Sequence, residues 1–408
     1  MTISIADPMD YGFLPDRLAR IPAFLKEKYL DSRKLPHAAL LVARAGDVVH
    51  LSMQGDGREG TPIAEDSIYR IASMTKPITS ILFMMLVEEG KVALSHKVAN
   101  FLPEFAETGV FLAGGGGRPF DTRPPANPMT MLDLLRHTSG LTYGFQERTP
   151  VDAAYRKTKI DDFHSERSLD EFVTELARLP LEFDPGTSWN YSLSTDVLGA
   201  VIQRIEGKPF AQVAQERLFD PLGMVDTHFV VPRAKADRIV DAFAFHPKDQ
   251  MTPFDSGARS RWMAENRMAS GGGGLASTIG DYHRFCSMLV GGGALEGHQI
   301  ISPKTLELMT ANHLPGGGDL TQHSKSLFSE AENAGVGFGL GFAATMEPHL
   351  TLMPGSAGEF YWGGMFSTGF FIDPVEQIHM VFMTQLMPSS TYPVRREVKS
   401  MIYAALAA

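Results

Sequence analysis

β-branched and aromatic residues gather at the two ends of this 408-residue chain, and helical patterns fill the stretch between them. Near the start, "AALLVARAGDVVHLSMQG" holds two β-rich runs around "RAGD", the pattern of an antiparallel hairpin. Near the end, "FSTGFFIDPVEQIHMVFMTQ" reads as a second hairpin with its turn at Asp373–Pro374, and "GFGLGFAAT" before it supplies a fifth strand. Helix-like spacing of Leu18, Ile21, Phe24 and Leu25 precedes the first hairpin, and "VRREVKSMIYAALAA" closes the chain as an amphipathic helix. Strands so far apart in sequence bury their apolar faces by meeting. The expectation is an α+β fold: one antiparallel sheet built from both termini, flanked by helices. Residues 1–90 and 271–408 form that part, and residues 91–270 form an inserted, mostly helical region with candidates such as "MTMLDLLRHTSGL" and "SLDEFVTELARLP".

Composition excludes several classes of function. The net charge is −10 and no dense Lys/Arg run is present, so the footprint that phosphate backbones require is missing and nucleic acid is not an expected partner. The longest apolar run, "ILFMMLV", falls far short of the roughly 20 residues of a membrane span. The first residues, "MTISIADPMDYGFLPDRL", lack a basic segment followed by an apolar one, so no secretory signal is read and a cytoplasmic location is expected. The single cysteine, Cys286, lies in the helical pattern "DYHRFCSMLV" and reads as a buried thiol. Four oligoglycine patches, Gly271–Gly274 among them, read as loops. The G-x-G-x-x-A match at Gly271, Gly273 and Ala276 follows no apolar strand, so it is not a dinucleotide fingerprint. P-loop, HExxH, CxxC and G-x-S-x-G motifs are absent from the sequence, and no metal or organic cofactor is expected.

The stretch "IASMTKPITS" carries the chemistry. Apolar residues at Ile78, Ile81, Leu82, Met85 and Leu86 predict a helix with one face on a core. Proline is tolerated only in a helix's first turn, so Pro77 sets the helix start at about Ser73. Lys76 then shares a face with Ser73, and the Ser73 backbone N–H becomes an unpaired donor at a positive helix end. Together these are a hydroxyl nucleophile, a lysine able to assist its deprotonation, and an oxyanion donor. Taken alone, the same residues could be an N-cap and a solvated lysine. Tyr191, in the loop "DPGTSWNYS" before a helix capped by Ser194, is either a packing aromatic or a second base. Gly363 and Gly364 in "YWGGMF" mark either a bulge or a place where a ligand approaches the backbone, with an edge-strand N–H just beyond as a second oxyanion donor. His137 and His283 read as structural.

The order Ser73-x-x-Lys76, Tyr191–Ser192, then a small-residue triad at a strand start resembles the class C serine β-lactamases and D-alanyl-D-alanine carboxypeptidases. "LLRHTSGL", "PGTSWNYS" and "GGGGLASTIGDYHRF" look like that superfamily's connecting segments, and the similarity runs from about Ala38 to Thr384. The resemblance implies an α/β sandwich from both termini plus a helical region, with the active site between them. Two departures matter. Class C enzymes carry Tyr-x-Asn where this chain has Tyr191–Ser192–Leu193, and Lys-Thr-Gly where it has Trp362–Gly363–Gly364. Leu193 cannot supply the amide's hydrogen bonds, and the missing lysine is the cation that pairs an antibiotic's carboxylate. Trp-Gly-Gly is similar instead to the family VIII carboxylesterases. That likeness implies Ser73, Lys76 and Tyr191 acting on a small-molecule ester, the Ser73 and Met365 N–H groups as oxyanion donors, and an apolar pocket shaped by Trp362, with Gly363, Gly364 and Leu193 beside it. The rival readings are a β-lactamase or D-amino-acid peptidase, an acyltransferase using the same residues, and a non-catalytic penicillin-binding sensor.

Overall fold

The computed structural model describes residues 3–407 except 59, 163–164, 266 and 326–333. His37–Arg44 (β1) and Asp47–Arg58 (β2) form the first hairpin, with Ala45 and Gly46 both at positive φ in the turn, as a tight two-residue connection demands. Thr61–Pro62 (β3) extends it. From the far end come Val336–Phe338 (β4), Ala343–Thr345 (β5), Phe360–Gly363 (β6), Gly369–Asp373 (β7) and Ile378–Met383 (β8). The sheet order is β4-β5-β6-β7-β8-β1-β2-β3. β8 lies antiparallel against β1 with Leu41 opposite Val381, and this pairing joins the two ends of the chain.

Alternation along the strands feeds two cores. Leu41, Ala43, Phe370, Ile372 and Val381 face inward with Ile78, Ile81 and Leu82 of Thr75–Glu88 (α1). Leu40, Val42, Phe371, Met380 and Phe382 face the terminal helices, meeting Leu18, Ile21 and Leu25 on one side and Val394, Val398 and Ile402 of the C-terminal helix on the other. β1 is buried on both faces because it sits mid-sheet between these layers, which explains its nearly unbroken apolar run "HAALLVA". Among the described residues, no helix is long and apolar enough to cross a membrane.

Several expectations change. "GFGLGFAAT" is two strands, because Gly341 takes φ +99° and reverses the chain, and a Cβ there would meet Ser80 Oγ at 2.3 Å. That extra hairpin pairs outside β6, so β6 is an interior strand and not an edge. Between residues 91 and 270 the chain forms helices and also two hairpins, Val110–Gly115 with Arg118–Arg123 and Ala242–His246 with Gln250–Asp255. The second of these takes Leu386–Met387 as a parallel neighbour. Ser194 is the first residue of Ser194–Glu206 (α2) rather than its cap, and its hydroxyl bonds Ser139 and Ser192 instead.

Candidate active site

α1 begins two residues later than the start at about Ser73 that Pro77 suggested. A 3-10 turn, Ala72–Met74, precedes it and carries Ser73, with Lys76 and Pro77 in the first turn of the helix proper. Ala72 sits at φ +44°, a left-handed conformation that costs a non-glycine residue about 1–3 kcal/mol. The strain falls on the residue before Ser73 and is held there by packing, since Ala72 is buried with Trp262 and Phe366. Ser73 is half-buried between buried neighbours, so its hydroxyl is the reachable group of the turn.

Lys76 Nζ is buried and donates to Gly272 O at 2.7 Å, Tyr143 Oη at 3.1 Å and Ser73 Oγ at 3.3 Å. Tyr191 arrives from 118 residues away, and its hydroxyl lies 2.6 Å from Ser73 Oγ. The ammonium stands 4.4 Å from the centre of the Tyr191 ring, a cation–π contact in a desolvated setting. Nucleophile, cation and phenol predicted apart in sequence thus form one cluster.

The Gly271–Gly274 run, read from sequence as a loop, is a close-packed wall of this cluster. A Cβ on Gly272 would fall 2.3 Å from Asp196 Oδ2, and one on Gly271 would fall 2.6 Å from Thr195 O. With no side chains in the way, Thr79 Oγ1 reaches Gly271 O at 2.8 Å and Lys76 reaches Gly272 O. Asp196 closes the back: its carboxylate accepts from Gly272 N at 3.1 Å and from Ser270 Oγ. Burial raises its pKa, and the Lys76 cation opposes that shift. Tyr143, Asp196 and the Gly272 carbonyl were all missed in the sequence. The glycine run itself was the usable signal, since consecutive glycines also mark where backbone must touch backbone.

Gly364 explains how β6 meets the serine turn. A Cβ there would lie 2.4 Å from Ile71 O and 2.3 Å from Thr368 Oγ1, so only glycine lets the strand end press on the backbone just before Ser73. Gly363 and Gly364 do not head a strand: Gly363 ends β6, pairing with Gly369 at the last rung, and half-buried Met365 follows beyond the ladder. Trp362 is buried, with its ring 5.5 Å from that of Tyr191. Leu193 is buried in the main core directly before α2, its N–H donating to Thr142 O at 3.3 Å. His137 is buried and bonds Ser192 Oγ through Nδ1 at 3.1 Å, and burial with the nearby Lys76 cation drives its pKa well down. His283 faces His379 at 2.8 Å on the other side of the sheet's inner core. A cavity of about 270 Å³ is lined by Tyr361, Phe371, Met380 and Lys399 among others, with Trp362 also in its wall. Among the described residues, no group of three or more His, Cys, Asp or Glu side chains is placed to hold a metal ion.

The Beta-lactamase family profile matches residues 25–400. The chain belongs to that family. Its catalytic type is that of a serine hydrolase, on the serine β-lactamase fold. Protein Rv1367c of Mycobacterium tuberculosis is 34% identical over 333 residues, 81% of this chain and 80% of its own. Esterase EstB of Burkholderia gladioli is 30% identical over 406 residues, 94% of each chain. Among solved structures, "EstCE1, a hydrolase with promiscuous acyltransferase activity" has a TM-score of 0.80 at 24% identity, covering 95% of this chain and 99% of that one.

Proposed function

We propose that this protein hydrolyses carboxylic esters of small to medium acyl chain through an acyl-enzyme on Ser73, with Lys76 and Tyr191 as the base pair. The observation that carries the reading is the convergence on Ser73 Oγ of the Tyr191 hydroxyl at 2.6 Å and the Lys76 ammonium at 3.3 Å. The coarser part rests on kinship: the chain is a serine hydrolase of carboxylesterase type, with EstB similar over 94% of both chains.

Ser73 attacks the ester carbonyl while its proton passes to the Tyr191–Lys76 pair. The Lys76 cation holds Tyr191 as the phenolate that takes this proton and becomes the phenol, while the negative charge passes to the tetrahedral oxygen. The tetrahedral oxyanion rests on the backbone N–H groups of Ser73 and Met365, a pairing supported by the contact of Gly364 with the backbone of Ile71. Tyr191 then protonates the leaving alkoxide and the alcohol departs. Water, activated by the same pair, attacks the acyl carbonyl and releases the acid and free Ser73. In this reading the site lies between residues 1–90 with 271–408, which bring Ser73, Lys76 and Met365, and residues 91–270, which bring Tyr191. The partner is a small-molecule ester, and the location is cytoplasmic.

Acyl transfer is the second reading. An alcohol in place of water completes the same cycle, and similarity to EstCE1 favours testing it. β-Lactam hydrolysis is disfavoured because buried Trp362 stands where a carboxylate-binding lysine would be needed. The test is hydrolysis of short- and medium-chain aryl esters by wild type and Ser73→Ala, with a chromogenic cephalosporin alongside. Ester turnover that vanishes in Ser73→Ala, with a poor cephalosporin rate, is expected. A cephalosporin that outpaces the esters transfers the assignment to β-lactams, and undiminished activity in Ser73→Ala sinks the mechanism.

A further inference from the structure

The turn after Tyr143 holds one aromatic ring out of the core beside Tyr143 and Tyr191. The neighbouring aromatics are buried, with Tyr143 at 5%, Trp362 at 2% and Tyr191 at 1% exposure, whereas Phe145 is 55% exposed. Its ring stacks on Tyr143 with centroids 5.0 Å apart and planes 20° from parallel. It stands 6.5 Å from the ring of Tyr191, whose hydroxyl touches Ser73.

Both sides of this residue are clamped. Gly144 N–H donates to Asp161 Oδ2 at 2.7 Å, and the Arg156 guanidinium donates to the Gly144 carbonyl. On the other side, the Gln146 side-chain amide donates to Tyr191 O at 3.1 Å. Gly144 is required for the first clamp, because a Cβ would meet Asp161 Oδ2 and Arg156 Cγ at 2.9 Å. Hydrogen bonds before and after position 145 set the ring's place in advance, so little ordering entropy is lost when a group lies on it. A ring more than half exposed while its backbone is fixed in this way is a preformed platform. Because Gln146 bonds the carbonyl of Tyr191 itself, the platform is registered to the catalytic loop.

We infer that Phe145, stacked on Tyr143, is a specificity-determining residue that receives a flat, unsaturated group of the ester. This rests on the ester chemistry proposed at Ser73 and names its substrate class: esters carrying an aryl or similarly planar group close to the scissile carbonyl. A planar group gains ring stacking beyond the burial of its area, worth up to roughly tenfold in selectivity over a saturated ring of like size. The group can belong to the acyl or to the alcohol side.

The experiment measures kcat and KM for two matched pairs on wild type, Phe145→Leu and Phe145→Trp. Benzyl acetate with cyclohexylmethyl acetate reads the alcohol side, and methyl phenylacetate with methyl cyclohexylacetate reads the acyl side. Each pair is close in intrinsic reactivity, so the aromatic-to-saturated ratio reports recognition. Wild type is expected to favour the aromatic member of one pair. Phe145→Leu should reduce that preference about three- to tenfold, mainly through KM, and Phe145→Trp should restore it. The pair that responds identifies the side. A ratio unchanged across the three proteins for both pairs overturns the assignment even if absolute rates fall, since a merely structural role slows both members alike. Ethyl acetate in the same assay separates the two levels: no Ser73-dependent turnover of any ester removes the underlying chemistry, while turnover with unmoved ratios removes only the role of Phe145.

Discussion

Two cations, Arg70 and Lys76, are buried within one short stretch of this chain and are treated in opposite ways. Arg70 is fully buried and meets a carboxylate, donating to Asp255 Oδ2 at 2.8 Å and also to Val240 O at 2.6 Å, Ser260 Oγ at 3.0 Å and Gln385 Oε1 at 3.3 Å. The three oxygens around Lys76 Nζ named above, from Gly272, Tyr143 and Ser73, are all neutral. Asp196, whose carboxyl responds to the Lys76 charge, spends its hydrogen bonds on Gly272 N and Ser270. The difference separates scaffold from site. A cation locked to a carboxylate holds segments together, whereas one that donates to a carbonyl and two hydroxyls, with the Asp196 carboxyl coupled to its charge, fits the proposed exchange of protons with its neighbours.

The sharpest way to break this contrast is to remove each cation in turn. Lys76→Met is expected to lower kcat/KM by on the order of 10³–10⁴-fold with little change in unfolding midpoint, measured by ester kinetics and denaturant titration. A variant that keeps its rate would mean Lys76 is scaffold too. Arg70→Met should do the reverse, destabilising the fold by about 3 kcal/mol because buried Asp255 loses its buried cation and keeps as ion-pair partner Arg261 Nε at 3.3 Å. If urea titration finds Arg70→Met as stable as wild type, the pair is not what ties Tyr69–Arg70 to the hairpin at Asp255.

Much of this was legible in the sequence, and for a uniform reason. Pro77 behind an S-x-x-K places the serine within a turn of the helix start, and the β-rich runs at both ends bury their apolar faces by meeting. The misses share a cause as well. The Gly272 carbonyl has no side chain to announce it, and the use of the glycine run as a wall depends on Thr195 and Asp196 arriving from another segment. Tyr143 carries no local signal in the sequence, because its hydroxyl matters only once Lys76 is brought within 3.1 Å of it. The edge-strand reading of β6 failed because Gly341 turns the chain and adds a hairpin outside it. Local rules carry helix starts and hairpins; meetings across the chain needed the family resemblance or the structure.

A smaller effect sharpens the scaffold side. His37, His228 and His283 are each held down to about 4, in every case chiefly by burial. With folded values below the ordinary 6.5, the unfolded chain binds more protons between pH 4 and 6.5, so stability rises with pH across that window and is lost as pH falls through it. For fully buried His37 the loss is on the order of 2 kcal/mol at pH 5. Urea midpoints from pH 7 to 5 should decline, less steeply in His37→Gln; a flat profile contradicts the assignment of these histidines as neutral scaffold groups.

The central claim is that Ser73 becomes covalently acylated. Intact-mass and peptide mapping of enzyme quenched during turnover of a slowly deacylating aryl ester tests it directly. The account predicts one acyl group on the peptide containing Ser73 in wild type and none in Ser73→Ala. An acyl group mapped to another residue, or ester turnover that persists in Ser73→Ala, would contradict it.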